Sequence, residues 1–237
     1  MKLGLPDGIT ACLFDLDGVL TSTAVLHRRA WRRTFDDYLL PRGLPPFTEA
    51  DYLNHVDGRP RYDGVRAFLA SRGITVPEGT PGDPPELDTV HGIGNRKNAL
   101  IDTIIREEGV TPYPGTVRYL EAARELFKIG VVTSSANATR VLDAARLLPY
   151  VQAQVDGLVI VRDGLRGKPA PDSFLAGARL LGVEPARAAV FEDALSGVAA
   201  GRAGGFGYVV GVDRAGQAEA LRGNGADVVV EDLAELL

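Results

Sequence analysis

Two hydrophobic patterns divide this chain. From about residue 116 onward, helical and extended patterns alternate. Residues 116–128 set Val117, Leu120, Ala123, Leu126 and Phe127 at helical spacing, and 129–133 then read as a strand. Residues 137–148 are helical again, as are 171–181 with Phe174, Leu175, Ala178 and Leu181. Short apolar or β-branched runs at 188–191, 208–212 and 227–230 read as strands, and the run at 9–14 joins them as the central one. Such alternation predicts crossover units and an α/β fold whose parallel sheet is covered on both faces.

Between residues 23 and 111 the pattern changes. No convincing strand occurs there, and apolar spacing predicts three helices, at 24–40, 60–71 and 95–108. Breaker-rich segments separate them: Pro41-Arg42-Gly43-Leu44-Pro45-Pro46, and 76–85 with Pro77, Gly79, Pro81, Gly82, Pro84 and Pro85. The pattern describes an all-helical insert placed directly after the first strand.

The 237 residues suffice for one large domain or a domain plus an insert, and 45% apolar residues can bury a sizeable core. A net charge of -5 argues against an electrostatic nucleic-acid binder, which needs a basic face. No apolar run is long enough to span a membrane, and the N-terminus lacks the basic-then-apolar pattern of a signal peptide. A single cysteine, Cys12, excludes an internal disulfide and fits a reducing compartment, with the cytoplasm as the expected location. Its place in the first strand makes it an inert core thiol.

That strand runs into Phe14-Asp15-Leu16-Asp17-Gly18-Val19-Leu20-Thr21. A buried strand ending in Asp-x-Asp-Gly sets two carboxylates outside the carboxyl edge of a parallel sheet, where such sheets bind ligands. Paired like charges there need a cation, and Mg2+ takes oxygen ligands. By itself the segment reads equally well as a solvated acidic turn. Three later stretches change that: Val131-Val132-Thr133-Ser134-Ser135 after a second strand, Gly167-Lys168-Pro169-Ala170-Pro171-Asp172, and Ala189-Val190-Phe191-Glu192-Asp193 after another.

In this order the four motifs resemble those of the haloacid dehalogenase (HAD) superfamily, and they extend over most of the chain. The resemblance implies a Rossmann-like core of residues 1–22 and 112–237, and a helical C1 cap of residues 23–111 that closes over the active site. The hinges would lie at 21–23 and 110–115. It also implies roles. Asp15 would be the nucleophile, forming an aspartyl-phosphate, and Asp17 the general acid/base. Thr133 and the Ser134 backbone N–H would hold the phosphoryl group, and Lys168 would bridge Asp15 and the phosphoryl oxygens. Mg2+ would be bound by Asp15, the Asp17 backbone carbonyl, Glu192 and Asp193. Gly18 would permit the tight turn that aims both carboxylates one way.

The cap narrows the resemblance. Thr21-Ser22-Thr23 followed by His27 and Trp31 is similar to the β-phosphoglucomutase-like subfamily, and on a helix His27 and Trp31 share a face. Gly58-Arg59-Pro60-Arg61 resembles the loop that reads substrate, with Arg61 on the phosphate that is not transferred. Arg96-Lys97-Asn98 resembles a cap motif whose lysine, Lys97 here, faces the site on closure. Ser135 and Asn137 match positions on the distal phosphate. Arg supplies bidentate phosphate recognition and Lys a point charge, as a doubly phosphorylated sugar intermediate requires.

Three positions depart from the subfamily. Asp57 and Ala136 stand where lysines are usual, and Gly64 where the mutases have serine; Arg59 restores some positive charge. The departures weaken the distal phosphate site and so bear on mutase activity more than on phosphatase activity. Three readings remain at this point: a mutase interconverting β-glucose 1-phosphate and glucose 6-phosphate, a sugar-phosphate phosphatase with the same active site, and a non-catalytic protein retaining the fold. The intact set Asp15, Asp17, Thr133, Lys168 and Asp193 speaks against the third. A small phosphorylated sugar is the expected partner, and a monomer the expected state.

Overall fold

The computed structural model describes residues 2–237. Six short strands form one parallel sheet: β1 (Ala11–Phe14), β2 (Lys128–Val132), β3 (Ala153–Val155), β4 (Ala188–Glu192), β5 (Tyr208–Val212) and β6 (Val228–Val230). Their spatial order is β3-β2-β1-β4-β5-β6, which puts β1 inside, Phe14 pairing with Val131 on one side and Phe191 on the other. Side-chain alternation along β1 divides the core into two layers. Cys12 and Phe14 pack with Tyr119, Ile129, Val131 and Phe191, whereas Ala11 and Leu13 pack with Val132, Phe174, Leu181 and Val190.

Between β1 and β2 the chain forms α1 (Thr23–Leu39), the single turn α2 (Glu49–Asp51), α3 (Arg61–Ser71), α4 (Val90–Glu108) and α5 (Pro114–Ala123). The remaining helices are α6 (Ala138–Ala144), α7 (Gly157–Arg162), α8 (Asp172–Leu181), α9 (Leu195–Ala203) and α10 (Ala218–Gly223). Helices α5 and α6 contribute Tyr119, Leu120, Val141 and Leu142 to one sheet face, and α7 and α8 contribute Ile160, Phe174 and Ala178 to the other.

Helices α1, α3 and α4 enclose an apolar centre of their own, built on Trp31, Phe35, Phe47, Phe68, Val90 and Ile93. Phe35 organises it, its ring 4.2 Å from that of Phe68, 5.0 Å from Phe47 and 5.2 Å from Trp31. Two antiparallel segments join this unit to the sheet: Ser22 N donates to Thr111 O at 3.0 Å and Tyr113 N to Leu20 O at 3.1 Å.

The strand order reverses between β1 and β4, which opens a crevice at the carboxyl edge. Asp15 follows β1, Thr133 follows β2, and Glu192 ends β4 with Asp193 next. Three sequence motifs far apart along the chain thus meet at one sheet edge.

Some element boundaries differ from the sequence pattern. Helix α4 starts at Val90 rather than 95, because Thr89 caps it, accepting from Gly92 N at 2.9 Å. The carbonyls of Pro77 and Glu78 take the N–H groups of Val90 and His91, which a helix start leaves without partners. Helix α9 shows little amphipathic pattern because Gly and Ala make up most of it. A Cβ on Gly201 would stand 3.2 Å from Val190 and 3.3 Å from Val209, so small residues let this helix lie close on the sheet. Edge strand β3 is too short to show a period.

Candidate active site

The core side of the crevice is centred on a buried ammonium. Lys168 Nζ lies 2.6 Å from Asp15 Oδ1, 2.5 Å from Glu192 Oε1 and 3.2 Å from the Val132 carbonyl. Glu192 Oε2 accepts from Ala194 N at 3.0 Å. The turn carrying Lys168 is held by Arg166, whose guanidinium pairs with Asp172 at the start of α8. Burial disfavours the Lys168 charge, but Asp15 and Glu192 outweigh it and raise its pKa.

The carboxylates outnumber this cation. Burial raises Asp15 to about 6 against the pull of Lys168, and Glu192 to about 7. Asp193 is pushed well above the carboxylate range by burial, with Asp57, Glu192 and Asp15 adding repulsion. Burial likewise lifts Asp57 to about 6, although the Tyr52 hydroxyl hydrogen-bonds it. Such a cluster is unfavourable as it stands and is relieved by protons or by a cation.

The donor set suits a hard divalent cation. The Asp193 carboxylate lies directly against the Asp15–Gly18 turn: a Cβ on Gly18, whose φ is +101°, would come 1.9 Å from Asp193 Oδ2. Only glycine fits there, because both the positive φ and the close approach exclude a side chain. Asp15, Asp193 and a backbone carbonyl of the turn together offer an oxygen-only set. Glu192, expected among the metal ligands, has one oxygen on Lys168 and the other on Ala194 N, which places it beside that set. Among the described residues no three acidic, His or Cys side chains converge on one point as metal ligands. The loop after β5 braces both parts: Arg214 Nε donates to Gly18 O at 2.7 Å, and Gln217 Nε2 to Asp193 O at 3.1 Å.

Asp17 sits at the junction between sheet and helical insert. Its Oδ1 accepts from Thr23 Oγ1, and its Oδ2 from Thr133 Oγ1 at 3.4 Å. Behind it Lys97 Nζ lies 2.7 Å from His27 Nδ1, and His27 Nε2 is 3.5 Å from Asp17 Oδ1. Burial, then Lys97, holds His27 well below its ordinary pKa, with its Nδ1 toward Lys97 and its Nε2 toward Asp17. Burial raises the pKa of Asp17, whereas its threonine partners lower it. Burial, opposed by Asp17 and aided by Arg61, brings Lys97 down to about 7. The Lys97 ammonium stands 5.0 Å over the Trp31 ring.

Opposite the carboxylates, the helical insert supplies Arg59, Pro60, Arg61, Tyr62, Lys97 and Asn98 to the same cavity. Core hydroxyls clasp this wall. Ser134 Oγ donates to Gly58 O at 2.8 Å and Ser196 Oγ to Asp57 O at 2.9 Å. Asn137 Nδ2 donates to Asn98 Oδ1 at 3.3 Å, and Arg140 pairs with Asp102 at 3.2 Å. The close fit again needs glycines, since a Cβ on Gly58 would be 2.4 Å from Ser196 Oγ and one on Gly167 2.0 Å from Pro60 Cγ.

Of the residues singled out from the sequence, Asp15, Asp17, His27, Trp31, Gly58, Arg61, Lys97, Thr133, Ser134, Ser135, Asn137, Glu192 and Asp193 line this one cavity. Thr23 and Lys168 do not; both are buried behind it, Thr23 under Asp17 and Lys168 under Asp15. Sequence reasoning missed Tyr52, Ser196, Arg214 and Gln217. Only Ser196, within Ala194-Leu195-Ser196-Gly197 just after the acidic pair, lay beside a recognisable motif.

Comparison with known proteins agrees with this geometry. Residues 9–205 match the family model described as haloacid dehalogenase-like hydrolase. The chain belongs to this family. It is 54% identical to a β-phosphoglucomutase of Mycobacterium bovis, over 99% of this chain and 94% of that protein. It is also 29% identical to a fructose-1-phosphate phosphatase of Escherichia coli, over 82% of this chain and 92% of that one. Among solved structures, the β-phosphoglucomutase of Clostridium difficile superposes with a TM-score of 0.78 at 25% identity, covering 97% of this chain and 93% of its own. The parallel α/β core with its strand-end carboxylates is thus a HAD core, and the chain is an enzyme of the phosphotransferase or phosphatase kind.

Proposed function

We propose that this enzyme interconverts β-glucose 1-phosphate and glucose 6-phosphate through a sugar bisphosphate, carrying the phosphoryl group on Asp15. One observation carries the reading. Across the cavity from the nucleophile stand Arg61 and Lys97, two basic side chains of the insert whose hydrogen-bond partners are Tyr62 and His27 rather than carboxylates, where a second phosphate on the sugar would supply an anion. The similarity to a β-phosphoglucomutase supports the same reading.

The steps follow from the residues. An Asp15 carboxylate oxygen attacks phosphorus, and the bond from phosphorus to the sugar oxygen breaks. Asp17, whose burial favours its protonated form, gives its proton to the departing oxygen and takes one back from the hydroxyl that next attacks the aspartyl-phosphate. Thr133 and the Ser134 N–H hold the phosphoryl oxygens. Lys168, behind Asp15 and held by Glu192, offsets the charge of the nucleophile as the phosphoryl group approaches. Mg2+ would be held by the Asp15 and Asp193 side chains and the Asp17 backbone carbonyl, and when bound it offsets charge between nucleophile and phosphate. Ser135, Asn137 and Arg61 would hold the distal phosphate.

We further assign residues 23–111 as a cap that closes on a core of 1–22 and 112–237, which fits their separate apolar centre. The complete site within one chain suits a monomer, and the free, buried Cys12 suits the reducing cytoplasm. A second reading, a sugar-phosphate phosphatase, is favoured by one feature: Asp57, a carboxylate at the cap edge where the mutases carry a lysine. The deciding experiment supplies β-glucose 1-phosphate with a trace of glucose 1,6-bisphosphate and Mg2+, and follows glucose 6-phosphate and inorganic phosphate together. Isomerisation outrunning phosphate release is the expected result; the reverse would make the enzyme a phosphatase.

A further inference from the structure

Arg61 is not left to find its own position. Its Nη2 donates to the Tyr62 hydroxyl at 2.9 Å, and that hydroxyl donates to Asn95 Oδ1 at 2.9 Å. The Asn95 amide nitrogen in turn donates to two backbone carbonyls of the proline-rich segment, Pro81 O at 3.1 Å and Asp83 O at 2.8 Å. The chain of hydrogen bonds has one sense. Two carbonyls can only accept, so they fix which end of the Asn95 amide faces them. The amide oxygen must then face Tyr62, whose hydroxyl proton is committed to it and whose lone pair is left for Arg61.

The same ring is fixed by packing. The Arg61 guanidinium lies 4.7 Å from the Tyr62 ring centroid, and His91 also packs on that ring, 4.2 Å between centroids. His91 Nδ1 is 2.9 Å from the Glu78 carbonyl, a second tie to the proline-rich segment. Helix α4 carries a notch for the ring: a Cβ on Gly94 would come 2.7 Å from Tyr62 Cδ1 and 3.3 Å from Arg61 Cγ. A glycine inside a helix costs stability relative to alanine, and here the missing side chain makes room for the Tyr62 ring. The segment itself is pinned by Arg66 on Glu78, by Thr80 and Thr89 on Asp83, and by Arg96 on Pro85 O. After Tyr62 has taken one donor, Arg61 keeps the rest of its fork for a ligand, and its buried Nε has no partner.

We propose that Tyr62 and Asn95, seated on segment 76–85 and the Gly94 notch, are positioning residues that preset Arg61 for the non-transferring phosphate, and so set selectivity for phosphorylated sugars over simple phosphate esters. The inference rests on the reading of Arg61 as that phosphate grip. A side chain with many rotamers loses less entropy on binding when it is already held, which makes the segment a contributor to affinity although it does not line the cavity.

The test compares kcat/KM for β-glucose 1-phosphate, primed with glucose 1,6-bisphosphate, with kcat/KM for hydrolysis of p-nitrophenyl phosphate, in full-length Tyr62→Phe, Asn95→Ala, Arg61→Ala and the Arg61→Ala/Tyr62→Phe double variant. Tyr62→Phe keeps the ring and its packing and removes only the relay. It is expected to lower the ratio of sugar to ester activity about tenfold, mainly through KM, and Asn95→Ala to do the same. In the Arg61→Ala background Tyr62→Phe should add nothing to the change in ratio. A ratio equal to wild type in Tyr62→Phe and Asn95→Ala, while Arg61→Ala lowers it, overturns the positioning role and leaves the grip standing. An equal loss in both activities makes the two residues merely structural and also overturns it. A ratio unmoved by Arg61→Ala removes the grip itself, and this inference with it.

Discussion

The two walls of the cavity hold charge in opposite ways. On the core wall Lys168 is surrounded by carboxylates it cannot fully neutralise, all buried and all raised in pKa. On the cap wall Arg61 and Lys97 have Tyr62 and His27 rather than carboxylates as hydrogen-bond partners, and burial, aided by Arg61 and opposed by Asp17, lowers Lys97 to about 7. Each wall is electrostatically incomplete, and in the opposite sense. A phosphorylated sugar with its metal completes both at once, the cation going to the carboxylates and the distal phosphate to the cap. The proposed function thus assigns chemistry to one wall and choice of substrate to the other, and substitutions on the two should separate these properties.

The largest effect should come from the core wall. Asp15→Asn keeps shape and volume and removes both charge and nucleophilicity. Isomerisation and hydrolysis of a small ester should both fall by about 10⁴-fold or more, with circular dichroism unchanged. Loss of only one of the two activities would mean that the walls do not share one phosphorylated intermediate.

Next in size is the metal, read through stability. The carboxylates lining the cavity have folded-state pKa values above their unfolded ones, with Asp15 and, from the cap edge, Asp57 at about 6 and Glu192 at about 7. Raised carboxylates stabilise the fold fully below the unfolded value and lose that contribution as pH rises through the folded one. His27, lowered by burial, acts in the opposite sense below its unfolded value but is outnumbered. Metal-free protein should therefore lose thermal stability between about pH 5 and 7. Mg2+ competes with those protons, so its stabilisation should be larger at the upper end. At a hundredfold excess over Kd it amounts to about 2.7 kcal/mol. Calorimetric Tm with and without Mg2+ measures this, and an equal gain at both pH values would place the cation away from these carboxylates.

The same contrast explains what could be read from the chain. Asp15, Asp17, Thr133, Lys168 and Asp193 were legible because each sits at the end of a strand or in a short turn, so local sequence carries both the residue and its setting. The helices at 24–40 and 60–71 were legible from apolar spacing, and the structure has them at Thr23–Leu39 and Arg61–Ser71. Relations between distant segments were not. Nothing near Ser196 announces the Asp57 carbonyl, and nothing near Gln217 announces Asp193, because each contact exists only once the two segments are folded together. Asp57 registered only as an odd residue; its approach to Glu192 and Asp193 is a property of the assembled site. Glu192 shows the converse limit, since a motif names the residue but not which of its neighbours it will hold.

On the cap wall, Arg61→Ala should leave the walls unequal. Removing one charged hydrogen-bonding partner costs about 1.5–3 kcal/mol, or roughly one to two decades. That loss should fall on sugar isomerisation far more than on hydrolysis of p-nitrophenyl phosphate, which has no distal phosphate. The ratio of the two rates in wild type and variant decides it, and an unchanged ratio would move the phosphatase reading ahead.

The smallest expected effect concerns the seam between the walls. Ser196 and Ser134 donate to successive carbonyls, Asp57 O and Gly58 O, and under the proposed cap assignment they would hold the cap shut without touching Asp15. When the cap opens, water replaces both bonds, so each contributes only the net value of a neutral hydrogen bond, about 0.5–1.5 kcal/mol. Ser196→Ala removes one of them and adds no bulk at Gly58, where a Cβ would already meet the serine oxygen. The closed population should fall by about twofold to tenfold relative to the open one. Water then has more time at the aspartyl-phosphate, and the share of turnovers ending in inorganic phosphate should rise by a similar factor. Measuring phosphate release against glucose 6-phosphate formation in Ser196→Ala tests this directly. A partition equal to wild type would shift the work of closure to the Asn98–Asn137 and Asp102–Arg140 contacts farther along the seam.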